Sequence, residues 1–194
     1  MKDESSRPEI KNDLSKVENS DTIYIGYPIW WGTAPRIIQT FFESYDLKGK
    51  TVYLFCTSGG SGIESLLEVA EIKPMVNQIL CHISNTPEEL IEFCKKKDIA
   101  VEAYSPIAHG EILNQPGIKH MADKYGVSVA QLCIRYTLQL GTISLPKTGN
   151  PEHMKTNGNV DFETSKEDME ILENFKKIES YGASSGFPVY GGRL

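Results

Sequence analysis

The chain has 194 residues, of which 40% are hydrophobic and 24% are charged, and it carries a formal net charge of −6 at pH 7. This is enough apolar sequence for one sizeable core, and the negative charge argues against binding a nucleic-acid backbone by electrostatics. The sequence contains no apolar run long enough for a membrane-spanning helix, and its polar start lacks a stretch of the signal-peptide type. We therefore expect a cytoplasmic protein that does not bind membranes or nucleic acid.

The first third of the sequence predicts a polar head and two strand–helix pairs. Residues 1–20 contain few apolar side chains, so we expect them to be irregular and to contribute little to the core. The β-branched and aromatic run 21–30 is typical of a buried strand, and apolar residues at helical spacing over 35–47 predict the first helix. A second strand is expected over 51–56 and a second helix over 62–71.

Three more strands are expected in the rest of the chain, at 73–81, at 99–106 and from Thr142 onward. Strands and helices alternate five times, which indicates parallel strands joined by right-handed crossovers. The sequence therefore predicts an α/β fold with one five-stranded parallel sheet in sequential order. The accompanying helices are expected at 85–98 with Thr86 as its cap, in two segments across 117–141 with Ser128 capping the second, and at 164–178 with Ser165 as its cap.

Neither the cysteines nor the histidines have the paired spacing of metal ligands, so no metal site is predicted. Each cysteine lies in an apolar segment, which indicates reduced thiols in the core. The residues concerned are Cys56, Cys81, Cys94 and Cys133, and His82, His109, His120 and His153.

Ligands of parallel α/β folds bind at the carboxyl ends of the strands, so the segments that follow the first two strands are candidate binding loops. The runs "GYPIWWGTAPRIIQTFFESYDLKGKTV" and "FCTSGGSG" resemble flavodoxins over about residues 7–62. The resemblance implies that both loops flank the isoalloxazine ring of FMN, although the family's phosphate-binding loop has no counterpart in this sequence. Without the resemblance, the tryptophans are interpreted as packing residues, and the glycine-rich loop is also consistent with an ordinary connection. The implied flavin contacts are Trp30, Trp31, Gly32 and Thr33 in the first loop, and Thr57, Ser58, Gly59 and Gly60 in the second.

From about residue 64 the chain resembles a different family. The runs "KPMVNQILCHISNTPEEL", "AVEAYSPIAHG", "KYGVSVAQLCIRYTLQLG" and "LPKTGNPEHMKTN" are similar to the C-terminal half of aldo/keto reductases, (β/α)₈ barrels that use NADPH. The seam between the two families is expected near residues 61–65. The resemblance implies contacts of Gln78 with the carboxamide, Tyr104 with the nicotinamide ring, Ser105, Pro106 and Ile107 with the pyrophosphate, Lys147 and Thr148 with the 2′-phosphate, and Asn157 with adenine.

The sequence departs from the reductase pattern at the phosphate clamp and in the catalytic set. His153 stands where the family has an arginine, and Thr156 stands where it has a glutamate. The catalytic Asp, Tyr, Lys and His of the family have no counterpart here, and His82 does not match the catalytic histidine. No catalytic residue is therefore assigned. The resemblance implies a partial NADPH site that binds weakly and does not reduce aldehydes.

These observations suggest one α/β domain composed of a polar head (1–20), a flavodoxin-like fragment (21–62) and an aldo/keto reductase half-barrel (63–194). Three functions remain open: an oxidoreductase-related protein with a partial dinucleotide site, a non-catalytic scaffold or fusion relic, and an FMN-binding electron carrier. A partial barrel has open edges and an uncovered interior face, so we also expect a homo-oligomer. The candidate residues on that face are Val76, Gln78, Val101 and Ala103, or their alternates along the strands.

Overall fold

The computed structural model describes residues 5–29, 33–57, 62–69 and 73–186. The chain divides into two compact units between Lys73 and Pro74. Every strand pairing in the described residues is parallel, which confirms the α/β class. None of the helices within these ranges is long and apolar enough to cross a membrane.

The N-terminal unit is built on a pair of parallel strands. Its elements are β1 (Thr22–Pro28), α1 (Arg36–Ser44), β2 (Thr51–Thr57) and α2 (Ile63–Val69). Ile23 and Ile25 alternate with exposed residues along β1, and they are buried together with Phe41 of α1. One face of β1 and one face of α1 thus form this unit's small core.

The polar head packs more closely than its composition predicts. Within residues 5–20 it is irregular except for a 3₁₀ turn at Ser15–Val17. Nevertheless Ile10, Leu14 and Val17 are partly buried against the β1–α1 core. The ammonium group of Lys50 also donates to the carbonyl oxygens of Glu18 and Ser20, both at 2.8 Å. The expectation that the head contributes little to the core is therefore wrong, because these three apolar side chains pack against it.

The regular elements of the C-terminal unit are β3 (Val76–Leu80), α3 (Glu88–Lys96), β4 (Ala100–Tyr104), α4 (Pro116–Lys124), α5 (Val129–Gln139), β5 (Ile143–Leu145), α6 (Pro151–Asn157) and α7 (Lys166–Glu173). Its three described strands form one sheet in the order β3-β4-β5, with β4 in the centre. Its helices form most of the core, in which Ile118 of α4 and Leu132 and Tyr136 of α5 are fully buried. The unit also contains 3₁₀ turns within Ala108–Asn114, interrupted by non-helical backbone at His109 and Gly110, and a 3₁₀ segment at Gly182–Gly186.

The predicted five-stranded sheet is not observed, because the described strands form one sheet of two and one of three. Alternation of strands and helices specifies βα units and parallel direction, but it does not determine which strand edges pair across units. The sequential order holds inside the three-stranded sheet. The partial barrel with a flavodoxin-like hybrid sheet therefore has no support from the strand pairing.

Two of the three predicted helix caps are present. The Ser128 hydroxyl accepts from the amide of Gln131 in a full capping box, and the Ser165 hydroxyl accepts from the amide of Asp168. Thr86 does not cap α3, because its hydroxyl bonds the Tyr136 hydroxyl at 2.6 Å instead. A tertiary contact has thus replaced the local one that the sequence suggests.

Three of the four cysteines are buried and all four are free thiols. Burial raises the pKa of Cys81 and of Cys133 to about 12, so both stay protonated and unreactive at neutral pH. Cys56 is exposed, which corrects the expectation of a core thiol. Its strand, β2, contains only one partly buried residue, Val52. The apolar sequence of β2 therefore does not correspond to a buried strand.

Candidate functional site

The carboxyl ends of the three strands of the C-terminal unit lie level with one another. Leu80 of β3 pairs with Tyr104 of β4, and Tyr104 pairs with Leu145 of β5. The segments that follow these residues therefore begin at one edge of the sheet, which is where parallel α/β proteins bind their ligands. This register brings the predicted residues after β4 and β5 to a common edge.

Gln78 and Tyr104 share one face of this sheet. Gln78 pairs with Glu102, and Glu102 is two residues before Tyr104, so the pleat directs all three side chains to the same side. Gln78 is exposed and Tyr104 is half-buried. Val76 lies on this face as well and is 46% exposed.

The opposite face of the sheet is covered. Val101 and Ala103 are buried, and the Asn77 amide donates to Sγ of Cys94 on α3 at 3.5 Å. Of the four residues expected on an uncovered interior face, Val76 and Gln78 are therefore exposed, whereas Val101 and Ala103 are not.

The loop after β4 has an unusual backbone. Ser105, Ala108 and His109 all have positive φ angles, of 53°, 46° and 55°, a conformation that costs L-residues roughly 1–2 kcal/mol each. Two turn hydrogen bonds hold it, from the Ala108 amide to Ser105 O and from the Gly110 amide to Ile107 O, both at 2.8 Å. Pro106, the second residue of this loop, is fully buried. Such strained segments cluster at ligand sites, and this one contains the three predicted pyrophosphate contacts.

The loop after β5 leads into α6 through a short series of side-chain caps. The Thr148 hydroxyl accepts from the Asn150 amide at 3.1 Å, and the Asn150 side chain accepts from the Glu152 amide at 2.9 Å. Lys147 lies just before this turn and is exposed. A cation thus lies at the strand edge, directly before a turn that these two hydrogen bonds hold.

The remaining predicted contacts of this region are carried by α6. His153 is exposed in its first turn, and Asn157 is half-buried at its last residue. The Thr156 hydroxyl, which stands in place of the family's glutamate, bonds back to the carbonyls of Glu152 and His153 at 3.1 Å. Its hydroxyl is therefore engaged within α6.

His82, which follows β3, is a buried structural residue. Its Nδ1 bonds the carbonyl oxygen of Ile83, so Nδ1 carries the proton and Nε2 accepts from the Tyr181 hydroxyl at 3.0 Å. Burial lowers the pKa of His82, which keeps the ring neutral. Tyr181 was not identified from the sequence, where it lies in a Gly/Ser-rich tail without any periodic signal.

His109 is a second residue that sequence reasoning missed as a site component. Its Nε2 lies 3.3 Å from the hydroxyl of Ser105, and its Nδ1 lies 3.2 Å from the hydroxyl of Ser184. The imidazole therefore connects the strained loop after β4 with the C-terminal 3₁₀ segment.

Little of the predicted flavin site falls within the described part of the N-terminal unit. Thr57 ends β2, is exposed, and accepts at its carbonyl from the Ile29 amide at 2.7 Å. Thr33 is also exposed. The other predicted contacts, Trp30, Trp31, Gly32, Ser58, Gly59 and Gly60, lie outside the described residues. In the part of the chain that is described, no group of three or more His, Cys, Asp or Glu residues is arranged to hold a metal ion.

Comparisons with known proteins identify two families. A family model described as flavodoxin matches residues 1–97, and one described as the aldo/keto reductase family matches residues 111–177. The chain thus belongs to the flavodoxin family over its first half and resembles the C-terminal half of aldo/keto reductases after it. The flavodoxin match runs past the expected seam, so a seam at residues 61–65 stays a prediction.

The similar curated proteins are oxidoreductases. An uncharacterized oxidoreductase of Bacillus subtilis, YtbE, is 40% identical over 168 residues, which are 84% of this chain and 59% of YtbE. The glyoxal reductase of the same organism is 40% identical over 121 residues, or 62% of this chain and 44% of the reductase. The chain thus spans about half the length of the curated relatives it matches.

Similar solved structures include an aldo-keto reductase, MGS-M4 from a deep-sea metagenome library, which is 28% identical with a TM-score of 0.64 over 79% of this chain and 59% of MGS-M4. Apo Gox0644 is 27% identical with a TM-score of 0.64, covering 80% of this chain and 59% of Gox0644. A Gox0644 variant in complex with NADPH is 28% identical with a TM-score of 0.65, covering 81% of this chain and 59% of the variant.

Proposed function

We propose that this is an oxidoreductase-related protein whose C-terminal unit binds an NADPH-type dinucleotide at the carboxyl ends of β3, β4 and β5. The observation that carries the proposal is the register that aligns Leu80, Tyr104 and Leu145 and puts Gln78 on the face of Tyr104. The NADPH complex of a structural neighbour supports the choice of ligand.

The residues at this edge of the sheet fit the nicotinamide and the pyrophosphate of such a ligand. A half-buried tyrosine ring at the end of the central strand suits stacking on nicotinamide, and the exposed amide of Gln78 suits its carboxamide. Ser105, Pro106 and Ile107 in the strained loop are proposed to follow the pyrophosphate. When bound, the nicotinamide supplies the hydride of the family's chemistry.

The 2′-phosphate is assigned to Lys147 and Thr148, with His153 and Asn157 on the adenosine side. A charge-assisted hydrogen bond to a phosphate contributes on the order of 1.5–3 kcal/mol. Because His153 replaces a bidentate arginine, we expect binding to be weaker by about tenfold or more than at a complete site. NADPH should nevertheless be preferred over NADH, since Lys147 contacts only the former's extra phosphate.

Reduction of a carbonyl additionally requires a proton donor, which contributes typically 10²–10⁴-fold. No residue of this sequence matches the family's catalytic set, so we propose that the chain by itself binds the dinucleotide without reducing aldehydes. The test is NADPH consumption with a generic aldehyde. Consumption that depends on the aldehyde and rises with protein concentration would refute this part of the proposal.

Calorimetric titration with NADPH tests the binding proposal. The Lys147→Ala variant should lose affinity by about tenfold or more, the equivalent of one phosphate contact. Lys119→Ala is the matched control, because it removes the same charge from an exposed position on α4. Equal losses in the two variants would indicate a general charge effect and contradict the assigned phosphate site.

The flavodoxin match favours a second candidate, an FMN-binding electron carrier that uses the loops after β1 and β2. Thr33 and Thr57 are the described residues of that site. The test is flavin absorbance of the purified protein after incubation with FMN and desalting. A colourless protein would leave a non-catalytic scaffold as the alternative to the dinucleotide site.

Assembly and location are also proposals. Apolar residues on or next to the uncovered sheet face of the C-terminal unit are exposed, and we expect a homo-oligomer that covers them. The exposed apolar residues are Met75, Val76, Ile143 and Leu145. A single monomeric boundary in sedimentation velocity at micromolar concentration would contradict the expected homo-oligomer.

A cytoplasmic location stays a prediction of the sequence.

A further inference from the structure

We propose that His109 is a positioning residue for the loop after β4, because it couples Ser105 to Ser184 and so holds the loop in the conformation that receives the dinucleotide. The inference rests on the proposed function. We call the side chains of Ser105, His109 and Ser184 the bridge. The two contacts of the imidazole, at 3.3 and 3.2 Å, engage both of its ring nitrogens.

The loop needs support from outside its own backbone. Three of its non-glycine residues have left-handed backbone conformations, and such conformations persist only where the surroundings over-determine them. Within the loop, two turn hydrogen bonds reach the carbonyls of Ser105 and Ile107. His109 is exposed, so its support of the loop comes from side-chain hydrogen bonds, including those to Ser105 and Ser184, rather than from burial.

The other end of the bridge is firmly anchored. Ser184 belongs to the 3₁₀ segment that begins at Gly182, next to the buried Tyr181. The Tyr181 hydroxyl bonds the buried His82, and the Tyr181 amide donates to the Ser185 hydroxyl at 2.8 Å. The segment from Tyr181 to Ser184 therefore contacts His82 after β3 and the loop after β4, and His109 is a side chain through which it reaches the second.

The chemistry of the bridge explains why a histidine suits this position. A hydroxyl group can donate or accept, so both serines can pair with the imidazole whichever nitrogen carries the proton. Asparagine tolerates the left-handed backbone at position 109 but has a shorter side chain that does not span both serines. His109→Asn thus removes the bridge without adding backbone strain.

The first experiment measures amide hydrogen exchange of residues 105–110 in the full chain without nucleotide. Ser184→Ala and His109→Asn should each accelerate exchange in this segment several-fold, and the double variant should show no further increase. Ser184→Thr keeps the hydroxyl and is the matched control, with exchange close to wild type. Unchanged exchange in the single variants, or effects that add in the double variant, would overturn the bridge.

The second experiment measures the affinity for NADPH and for 2′,5′-ADP, which has the 2′-phosphate but no pyrophosphate link. Both bridge variants should weaken NADPH binding several-fold and leave 2′,5′-ADP binding unchanged. If wild type binds NADPH and the variants bind it equally well, the positioning role is wrong and the proposed function stands. If wild type binds no NADPH, the proposed function and the cofactor role of His109 are both overturned, whereas hydrogen exchange still decides on the bridge.

Discussion

The Tyr181 hydroxyl lies 3.0 Å from Nε2 of His82, and these two residues are 99 positions apart in the chain. Both side chains are buried, with exposed fractions of 7% and 0%. Their rings meet edge to face with centroids 5.7 Å apart. The segment around Tyr181 is therefore part of the core of the C-terminal unit, although its Gly/Ser-rich sequence is typical of an irregular tail.

Replacing Tyr181 by phenylalanine should destabilise the C-terminal unit by about 1–3 kcal/mol, because the buried Nε2 of His82 would lose its donor while the ring packing stays. Urea unfolding measures this change. Tyr24→Phe is the control, since Tyr24 is 69% exposed and should tolerate the loss of its hydroxyl. Similar stability of the two variants would mean that the hydrogen bond does not form in solution.

Stability should also fall as the pH is lowered through the titration of His82. Burial and the nearby His109 lower its pKa in the folded state, whereas the carbonyl of Ile83 opposes them. Above the unfolded pKa of about 6.5 the residue is neutral in both states, so its contribution is complete. Below that value the unfolded chain binds the proton first, so the free energy of unfolding falls until the folded pKa is reached.

The measurement is the free energy of unfolding between about pH 7.5 and 5.5, in wild type and in His82→Gln. The glutamine variant lacks the titrating group and should have a smaller dependence on pH in this window, whatever its absolute stability. Parallel pH profiles would show that His82 is not buried as a neutral ring.

The polar head should contribute measurably to the stability of the N-terminal unit. Leu14→Ala removes apolar surface that packs on the β1–α1 core, and we expect a loss on the order of 1 kcal/mol. Lys11→Ala, at an exposed position of the same irregular segment, is the control and should be neutral. Equal melting temperatures for both variants would mean that the head contributes little to the core, as its composition predicts.

The end of α4 requires a left-handed residue. Gly126 has a φ of +64°, and a Cβ there would meet no atom within 4 Å, so Gly126→Ala tests the backbone alone. We expect a destabilisation of about 1 kcal/mol. A Cβ on Gly149 would also meet nothing, but its φ is not positive, so Gly149→Ala should cost little or nothing. Thermal unfolding of both variants decides the comparison.

The sequence predicts the local part of the fold well and the longer-range part less well. Alternating strands and helices indicate the parallel α/β class, and Ser128 and Ser165 mark the starts of their helices, because these features depend on neighbours in sequence. The single five-stranded sheet is wrong because the pairing of strand edges across units is not encoded in the alternation. Thr86 is not a cap for a similar reason, since it bonds a residue 50 positions away.

For the candidate site, the sequence identifies the edge of the sheet but not the contacts that shape it. Residues after β4 and β5 are expected at strand ends, and the register puts those ends level. The bonds from Tyr181 to His82 and from Ser184 to His109 join residues 99 and 75 positions apart, and no local pattern marks them. Only the folded structure shows that the tail reaches the candidate site.

The measurement that tests the central claim most directly is the ratio of the dissociation constants for NADH and NADPH, determined by calorimetry on wild type and on Lys147→Ala. If the ends of β3, β4 and β5 hold the dinucleotide and Lys147 holds its 2′-phosphate, wild type should prefer NADPH by about tenfold or more, and the variant should lose most of this preference. Equal affinities of wild type for the two nucleotides, or a preference that survives in Lys147→Ala, would contradict the account.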